Sequence, residues 1–344
     1  MNLIEVLNTI RDNASTEYQA RIPEATRTNL DSVRYAMIDD DNIMIANEFM
    51  STLLNKLVKS IVHTKLFTNP LKGLKKGTKP LGDTIEEIYN NFIKGGAYDP
   101  TGANLLSRKL PDTKTVYHRM NYKQQYKITV SREALSKAFA SYDALESYIT
   151  NLINQLYNSA ELDEFLNMKE LIKSAINDGA VKLIEVADPL TSDTNGKAFI
   201  KAIKTISGLM VFPSTEYNGY LEVQDTDTTP ITTFSRKNEQ ILILDTATDT
   251  SVSVDVLASL FNMSVAEFND TRKIVIDMFP KATAGEVKAV LVDEAFFQIF
   301  DDLFTVTSFN NGEGLYTNYY LNVWQTIAYS VLVNAVGFYV PTGA

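Results

Sequence analysis

From Asp112 to Asp178 the chain runs without one glycine or proline, while residues 70–111 hold ten of the 25 such residues in the sequence, which has 15 Gly and 10 Pro. Because glycine and proline punctuate regular structure, a loop-rich region must open here onto long uninterrupted elements. The run has two periods. Val116, His118, Met120, Tyr122, Gln124, Tyr126, Ile128 and Val130 alternate with Tyr117, Arg119, Asn121, Lys123, Gln125, Lys127 and Thr129. Period 2 over about fifteen residues predicts a strand of roughly 50 Å at ~3.3 Å per residue. Ordinary strands have about five or six residues, so the expectation is a long β-arm that projects from the body. Past Ser131 the spacing of Leu145, Ile149, Leu152, Leu156, Phe165, Leu166, Leu171 and Ile172 is helical, and residues 142–178 are predicted as one helix of about 55 Å. In DTIEEIYNNFIK, Ile85, Ile88, Tyr89, Phe92 and Ile93 fit helical spacing, but Ile85, Tyr89 and Ile93 also share one face of a strand. Periodicity leaves both open there.

Beyond Gly179 short apolar runs alternate with helical and polar stretches. Gln240–Leu244 and Lys273–Asp277 read as buried strands around a helix near Val254–Phe261, the grammar of a compact α/β lobe. Val287–Asp293 and Tyr319–Ala335 read as strands, and Phe296, Phe297, Ile299 and Phe300 as a packed aromatic element whose flanking Asp293, Glu294, Asp301 and Asp302 form solvated edges. With 344 residues and 45% hydrophobic composition there is ample material for a core.

Charge separates along the chain. The total is 32 basic against 42 acidic residues, or −10. That balance argues against a dedicated nucleic-acid binder. Residues 65–127 carry twelve basic side chains, among them Lys72, Lys75, Lys76, Lys79, Arg108, Lys109 and Lys114, against five acidic ones, giving +7 there and −17 elsewhere. A basic arm on an acidic body is complementary to a second copy of the same molecule. Charge guides such an encounter, and apolar contacts such as those of Tyr122 and Tyr126 are expected to supply much of the affinity. Lysines also keep loops and sheet edges soluble, which explains any one of them equally well.

Residues for chemistry are scarce. There is no cysteine, and His63 and His118 are the two histidines, too far apart in sequence for HExxH. GxGxxG and GxSxG are absent. Gly77-Thr-Lys-Pro-Leu-Gly82-Asp83-Thr84 puts Asp where a P-loop needs Lys. Asp39, Asp40 and Asp41 precede the apolar helical stretch Ile43–Val62, where capping accounts for them. Asp245, Asp249 and Asp255 follow a strand and are the best enzyme or metal candidates, with turn and cap roles standing beside that reading. DTDTTP lacks the glycine and terminal Glu of a calcium loop. No cofactor or metal is expected. The N-terminus has no apolar signal region, and the apolar run Ile327–Val340, interrupted by Ser330 and Asn334, falls short of the ~20 residues of a membrane span. The expectation is a soluble, cytoplasmically made protein.

Four passages, Gly82–Pro100, Thr115–Leu135, Tyr142–Asp178 and Asn318–Val340, taken in their order, resemble the Hong Kong 97-type fold of tailed-bacteriophage major capsid proteins, and most those of small short-tailed phages. The resemblance implies an α+β capsid fold: an N-terminal helical arm (1–66), an extended β-hairpin loop across a neighbouring subunit (67–120), a peripheral domain with a spine helix (121–185, helix 142–178), an axial domain (186–285) and a return to the peripheral domain with a closing strand (286–344). It makes DTIEEIYNNFIK the first strand of the extended loop. It implies a non-enzymatic homo-oligomer of hexamers and pentamers in an icosahedral virion shell that encloses double-stranded DNA without sequence-specific binding. A separate scaffolding protein and a portal are expected partners, since no long scaffolding segment fits the length. Intersubunit contact falls to Lys72, Lys75, Lys76, Lys79, Arg108, Lys109, Lys114, Tyr122 and Tyr126. An encapsulin-like compartment shares the fold, and a metal-dependent enzyme using Asp245, Asp249 or Asp255 is the alternative from another class.

Overall fold

The breaker-free run folds as two strands and two helices, where alternation alone predicts one strand and one helix. A computed structural model describes residues 3–38, 43–52, 67–79, 84–98, 100–102, 106–138, 142–224, 228–251 and 273–341. Its elements are α1 (Leu3–Asn13), α2 (Thr16–Arg21), α3 (Leu30–Ile38), α4 (Ile43–Thr52), β1 (Thr84–Asn90), β2 (Thr113–Arg119), β3 (Tyr122–Ser131), α5 (Arg132–Ala138) and α6 (Tyr142–Asn177). They continue as β4 (Lys182–Glu185), α7 (Asp193–Leu209), α8 (Tyr220–Val223), β5 (Gln240–Asp245), α9 (Thr246–Ser251), β6 (Lys273–Ile276), β7 (Gly285–Asp293), β8 (Phe297–Asn311), β9 (Tyr316–Tyr329) and β10 (Ala335–Pro341). Among the described residues no helix is long and apolar enough to cross a membrane.

The strand expected over Val116–Val130 breaks at Met120 and Asn121, and its halves join different sheets. β2 pairs with β1, from Thr84↔Arg119 to Asn90↔Thr113, and β3 pairs with β9, from Tyr122↔Gln325 to Ser131↔Tyr316. The break has a polar anchor: Asn121 donates to the Ile327 carbonyl at 2.8 Å and accepts from the Ile327 amide at 2.9 Å. Alternation survives on both sides of such a turn, so the period could not reveal it. DTIEEIYNNFIK resolves as a strand over Thr84–Asn90, and Phe92 and Ile93 lie beyond its end.

The chain divides into two compact units. The first comprises Met1–Asn69, Tyr122–Glu164 and Asp301–Gln325. Its sheet has the order β3-β9-β8. One face of β3 and β9 carries Ile128, Val130, Tyr319, Leu321 and Val323 into a core shared with Leu152, Leu156 and Tyr157 of α6 and with Leu7, Ile10, Tyr18, Val33, Met37 and Phe49. The described residues of the expected N-terminal arm form α1–α4 and contribute buried side chains to this core. Ser15 caps α2 through Tyr18 N, and Asn8 bonds both the amide and the carbonyl of Ala25, at 2.7 and 3.1 Å. On the opposite face Lys123 lies over Trp324 and Lys127 over Tyr320, at 4.9 and 5.9 Å from the ring centres.

The second unit comprises Pro70–Asn121, Phe165–Phe300 and Thr326–Ala344. Its five-stranded sheet, β4-β10-β7-β5-β6, mixes parallel pairs (β4 with β10, β5 with β6) and antiparallel ones (β10 with β7, β7 with β5). β5 is buried along its whole length, as a central strand covered on both faces must be. α7, capped by Ser192 onto Asn195 N, lays Phe199 and Ile203 on Leu242, Leu244, Ala289, Leu291 and Phe338. The strand expected over Tyr319–Ala335 ends at Tyr329 and resumes at Ala335. Between them Ser330 and Asn334 are fully buried, and each is tied into the fold: the Ser330 amide to the Phe296 carbonyl at 2.7 Å, and the Asn334 carboxamide from the Thr233 hydroxyl. Asp293, expected at a solvated edge, is buried and accepts from Ser235 Oγ at 2.5 Å and from the Ala295 amide at 2.8 Å. The helix expected near Val254–Phe261 lies outside the described residues.

Candidate assembly surface

In the basic segment β1 and β2 form a hairpin, and the end of its strands next to the connection 91–112 is clamped to the rest of the second unit. Tyr89 OH donates to the Thr232 carbonyl. Asn91 donates to the Pro230 carbonyl at 3.0 Å and accepts from the Thr232 amide at 3.2 Å. Phe92 stacks on Phe234 with ring centres 6.4 Å apart. His118 Nε2 meets Glu87 Oε2 at 2.7 Å, and Gln298 donates to the other Glu87 oxygen at 2.6 Å. Burial raises the Tyr89 phenol above its ordinary range, and the Glu86 hydrogen bond does the same for Tyr117 on the exposed face. His118 faces its own hairpin partner, as expected of a packed histidine.

The basic residues divide by position. Lys72 opens a short 3-10 turn (Lys72–Leu74) with its side chain exposed. Lys76 also has an exposed side chain, but packing around its ammonium lowers its pKa, while Glu87, Asp293 and Glu294 of its own unit act the other way. Its amide is fixed to the Ile299 carbonyl at 2.9 Å. Lys75 and Lys79 are half-buried. Arg108 and Lys109 are exposed, and Lys109 bonds across the loop to the Lys94 carbonyl. Lys114 is mostly covered, pairing with Asp112 at 3.0 Å and lying 5.8 Å from the Tyr220 ring centre, so its charge is engaged locally.

Tyr122 and Tyr126 leave the set of surface contacts. Both pack against the first unit's core, their hydroxyls are 3.0 Å apart, and Tyr126 donates to Asp163 at 2.8 Å. Burial, then the bonds to Tyr122 and Asp163, raise the Tyr126 phenol far above its usual range. They stand on the inward side of β3, the side that alternation assigned to an arm face.

The acidic candidates have structural employment. Asp245, buried, accepts from the Thr248 amide at 2.5 Å and so caps α9, and Asp249 pairs with Lys273 at 2.7 Å. Asp255 lies outside the described residues. No group of three metal-binding side chains occurs among the described residues.

Sequence reasoning passed over large apolar side chains at the far end of the hairpin: Ile93, Tyr98, Leu106 and Leu110 are all exposed. Tyr98, Leu106 and Leu110 stand in the Gly/Pro-rich segment outside any periodic run.

A model of the Phi29-like phage major capsid protein family matches residues 7–339. The chain is 32% identical over 338 residues to the major capsid protein of Bacillus phage PZA and 34% identical over 338 residues to that of Bacillus phage B103, covering in each case 97% of this chain and 72% of the relative. Among solved structures, one chain of the capsid of Staphylococcus phage Andhra aligns with a TM-score of 0.65 at 14% identity, covering 82% of this chain and 86% of that one. A chain in the structure of the head fiber and inner core protein gp22 of native bacteriophage P68 aligns at 0.60 and 12% identity, covering 80% and 85%. At such identities these structures speak to fold alone, an α+β phage-capsid fold related to the Hong Kong 97 type.

Proposed function

The chain belongs to the Phi29-like phage major capsid protein family, and from that membership we infer how its parts serve a shell. It is a structural protein, not an enzyme, that self-assembles into an icosahedral phage head. The observation that carries this is the family match over residues 7–339. Membership also sets aside the encapsulin-like compartment and the metal-dependent enzyme.

Within that function, residues 67–120 are the extended loop that lies over a neighbouring subunit, and Lys72, Lys75, Lys76, Lys79, Arg108 and Lys109 give it its charge. Residues 142–178 are the spine helix of a peripheral domain (121–185 with 286–344), and 186–285 an axial domain around five-fold and six-fold vertices. Residues 1–66 are assigned to the N-terminal segment. The clamp at Tyr89, Asn91 and Phe92 supports this reading, because a contact across subunits must be presented from a fixed base. Hexamers and pentamers are the building blocks, a heterologous contact repeated around closed rings. A scaffolding protein and a portal are the proposed assembly partners, and synthesis and assembly take place in the host cytoplasm before the protein enters the virion. The enclosed DNA is held without sequence recognition, since a body at −17 offers phosphate little tight binding.

Negative-stain microscopy of the purified protein, alone and with the candidate scaffolding protein, tests the reading. Closed shells or tubes are expected, and a uniform small particle under both conditions contradicts it.

A further inference from the structure

We propose that the far end of the β1–β2 hairpin is an apolar anchor for a second copy of this chain, and that Ile93, Tyr98, Leu106 and Leu110, more than the lysines, hold the two copies together. The inference deepens the extended-loop reading and rests on it. Its ground is a contrast within the hairpin. The strands and the start of their connection are held by their own unit through Glu87, Tyr89, Asn91 and Phe92. Beyond it Ile93, Tyr98, Leu106 and Leu110 are 71, 90, 92 and 83% exposed. These are four of the larger apolar side chains on one short stretch of sequence, and apolar exposure of that extent marks an interaction surface.

The occupant follows from charge and function. Residues 65–127 carry +7 and the rest of the chain −17, so the most complementary surface for this segment is the remainder of another copy. Self-assembly brings such copies together in large number. Lys94, Arg108 and Lys109 stand beside the apolar residues in sequence, which supplies the charged groups a polar rim would need. Lys109, bonded to the Lys94 carbonyl, also ties the two sides of the loop together and limits the freedom lost on docking.

Three variants of the full chain separate the possibilities, each first checked for a native circular dichroism spectrum and melting curve, which these exposed positions should leave unchanged. Leu106→Ser with Leu110→Ser and Tyr98→Ser is expected to raise the critical concentration for shell formation at least about 100-fold, as the loss of several buried apolar side chains should. Leu106→Met with Leu110→Met is expected to stay within about tenfold of the parent. Replacement of residues 93–98 and 106–110 by Gly and Ser is the third. If the Ser variant assembles as the parent does while the Gly/Ser chain does not, the loop is needed and the apolar anchor is overturned. If both assemble normally, the extended-loop reading itself falls.

Discussion

Glu87 joins two strands and a third element: His118 Nε2 reaches one carboxylate oxygen at 2.7 Å and Gln298 Nε2 the other at 2.6 Å. His118 is on β2, Glu87 on β1 and Gln298 on β8, so one carboxylate holds the hairpin closed and holds it to the unit. The side chains of His118 and Glu87 are only 7 and 17% exposed, which takes the pair out of the weak class of surface bridges. Glu87→Ala should therefore cost roughly 1.5–3 kcal/mol, confined to the hairpin. Hydrogen exchange measures it: amides of Thr84–Asn90 and Thr113–Arg119 should exchange at least tenfold faster, with β5 and β7 unchanged. Equal acceleration throughout the unit would mean that the pair supports the whole fold instead.

Asp293 gives a pH dependence of defined sign. Burial raises its pKa above the ordinary 3.8, with Glu239 and Glu294 adding to the rise and the bonds from Ser235 and the Ala295 amide opposing it. The folded chain thus keeps this proton to a higher pH than the unfolded chain does. Its contribution is fully present below about pH 3.8 and is lost as pH rises through the raised value. Asp293→Asn removes the buried charge and can still accept from the Ala295 amide while offering its NH2 to Ser235. Urea unfolding of the unassembled subunit should show the variant favoured over the parent at pH 7, with the advantage gone near pH 3.5. A difference independent of pH would refute the assignment.

Much of the fold was legible because its long elements obey one period throughout. The absence of breakers together with helical spacing placed α6 to within a residue, and the apolar runs at Gln240–Leu244 and Val287–Asp293 were strands as read. What the period misses are interruptions made by polar residues hydrogen-bonded into the fold. Asn121, Ser330 and Asn334 terminate strands through specific hydrogen bonds, and at each the alternation continues as if nothing intervened. The surface was harder for a related reason. Alternation identifies the two faces of β3 but does not say which is inward, and Tyr122 and Tyr126 stand on the inward one, bonded to each other and to Asp163 within the first unit. Lys114 looks like its neighbours in sequence, and only its closeness to Asp112 and Tyr220 shows that its charge is engaged.

Among the described glycines Gly219 leaves the least room for a side chain. A Cβ there would lie 2.3 Å from Ala180 Cα and 2.6 Å from the carbonyl oxygens of Ala180 and Gly179. The obstacle is backbone on the exit from α6, where Gly179 itself adopts φ +82°, so no rotamer can relieve it. Gly219→Ala should destabilise the subunit by roughly 1–3 kcal/mol, at the upper end of the overpacking range. Gly73→Ala, with nothing within 4 Å of the added carbon, is the matched control and should lie within about 0.5 kcal/mol of the parent. Thermal melting of both variants decides the matter, and similar losses in the two would remove the steric argument.

If charge steers the basic segment and apolar side chains retain it, the two contributions must separate in kinetics. Electrostatic complementarity acts at a distance and chiefly raises the rate of encounter, whereas buried apolar contact slows dissociation. Reversing Lys72, Lys75, Lys76 and Lys79 to Glu changes the segment from +7 to −1, because each substitution removes one positive charge and adds one negative. Light scattering should then show shell formation slowed by about tenfold or more near 0.1 M salt, where the Debye length is ~10 Å. Near 1 M salt, with the Debye length at ~3 Å, the parent should slow toward the variant and the two rates should converge. Lys76 needs a separate control, since it also feels Glu87, Asp293 and Glu294 of its own unit. The chain with Lys72→Glu and Lys79→Glu alone should therefore show about half of the kinetic effect, expressed as the logarithm of the rate. A rate defect that persists unchanged at high salt would place these lysines in a short-range contact and end their role as steering charges.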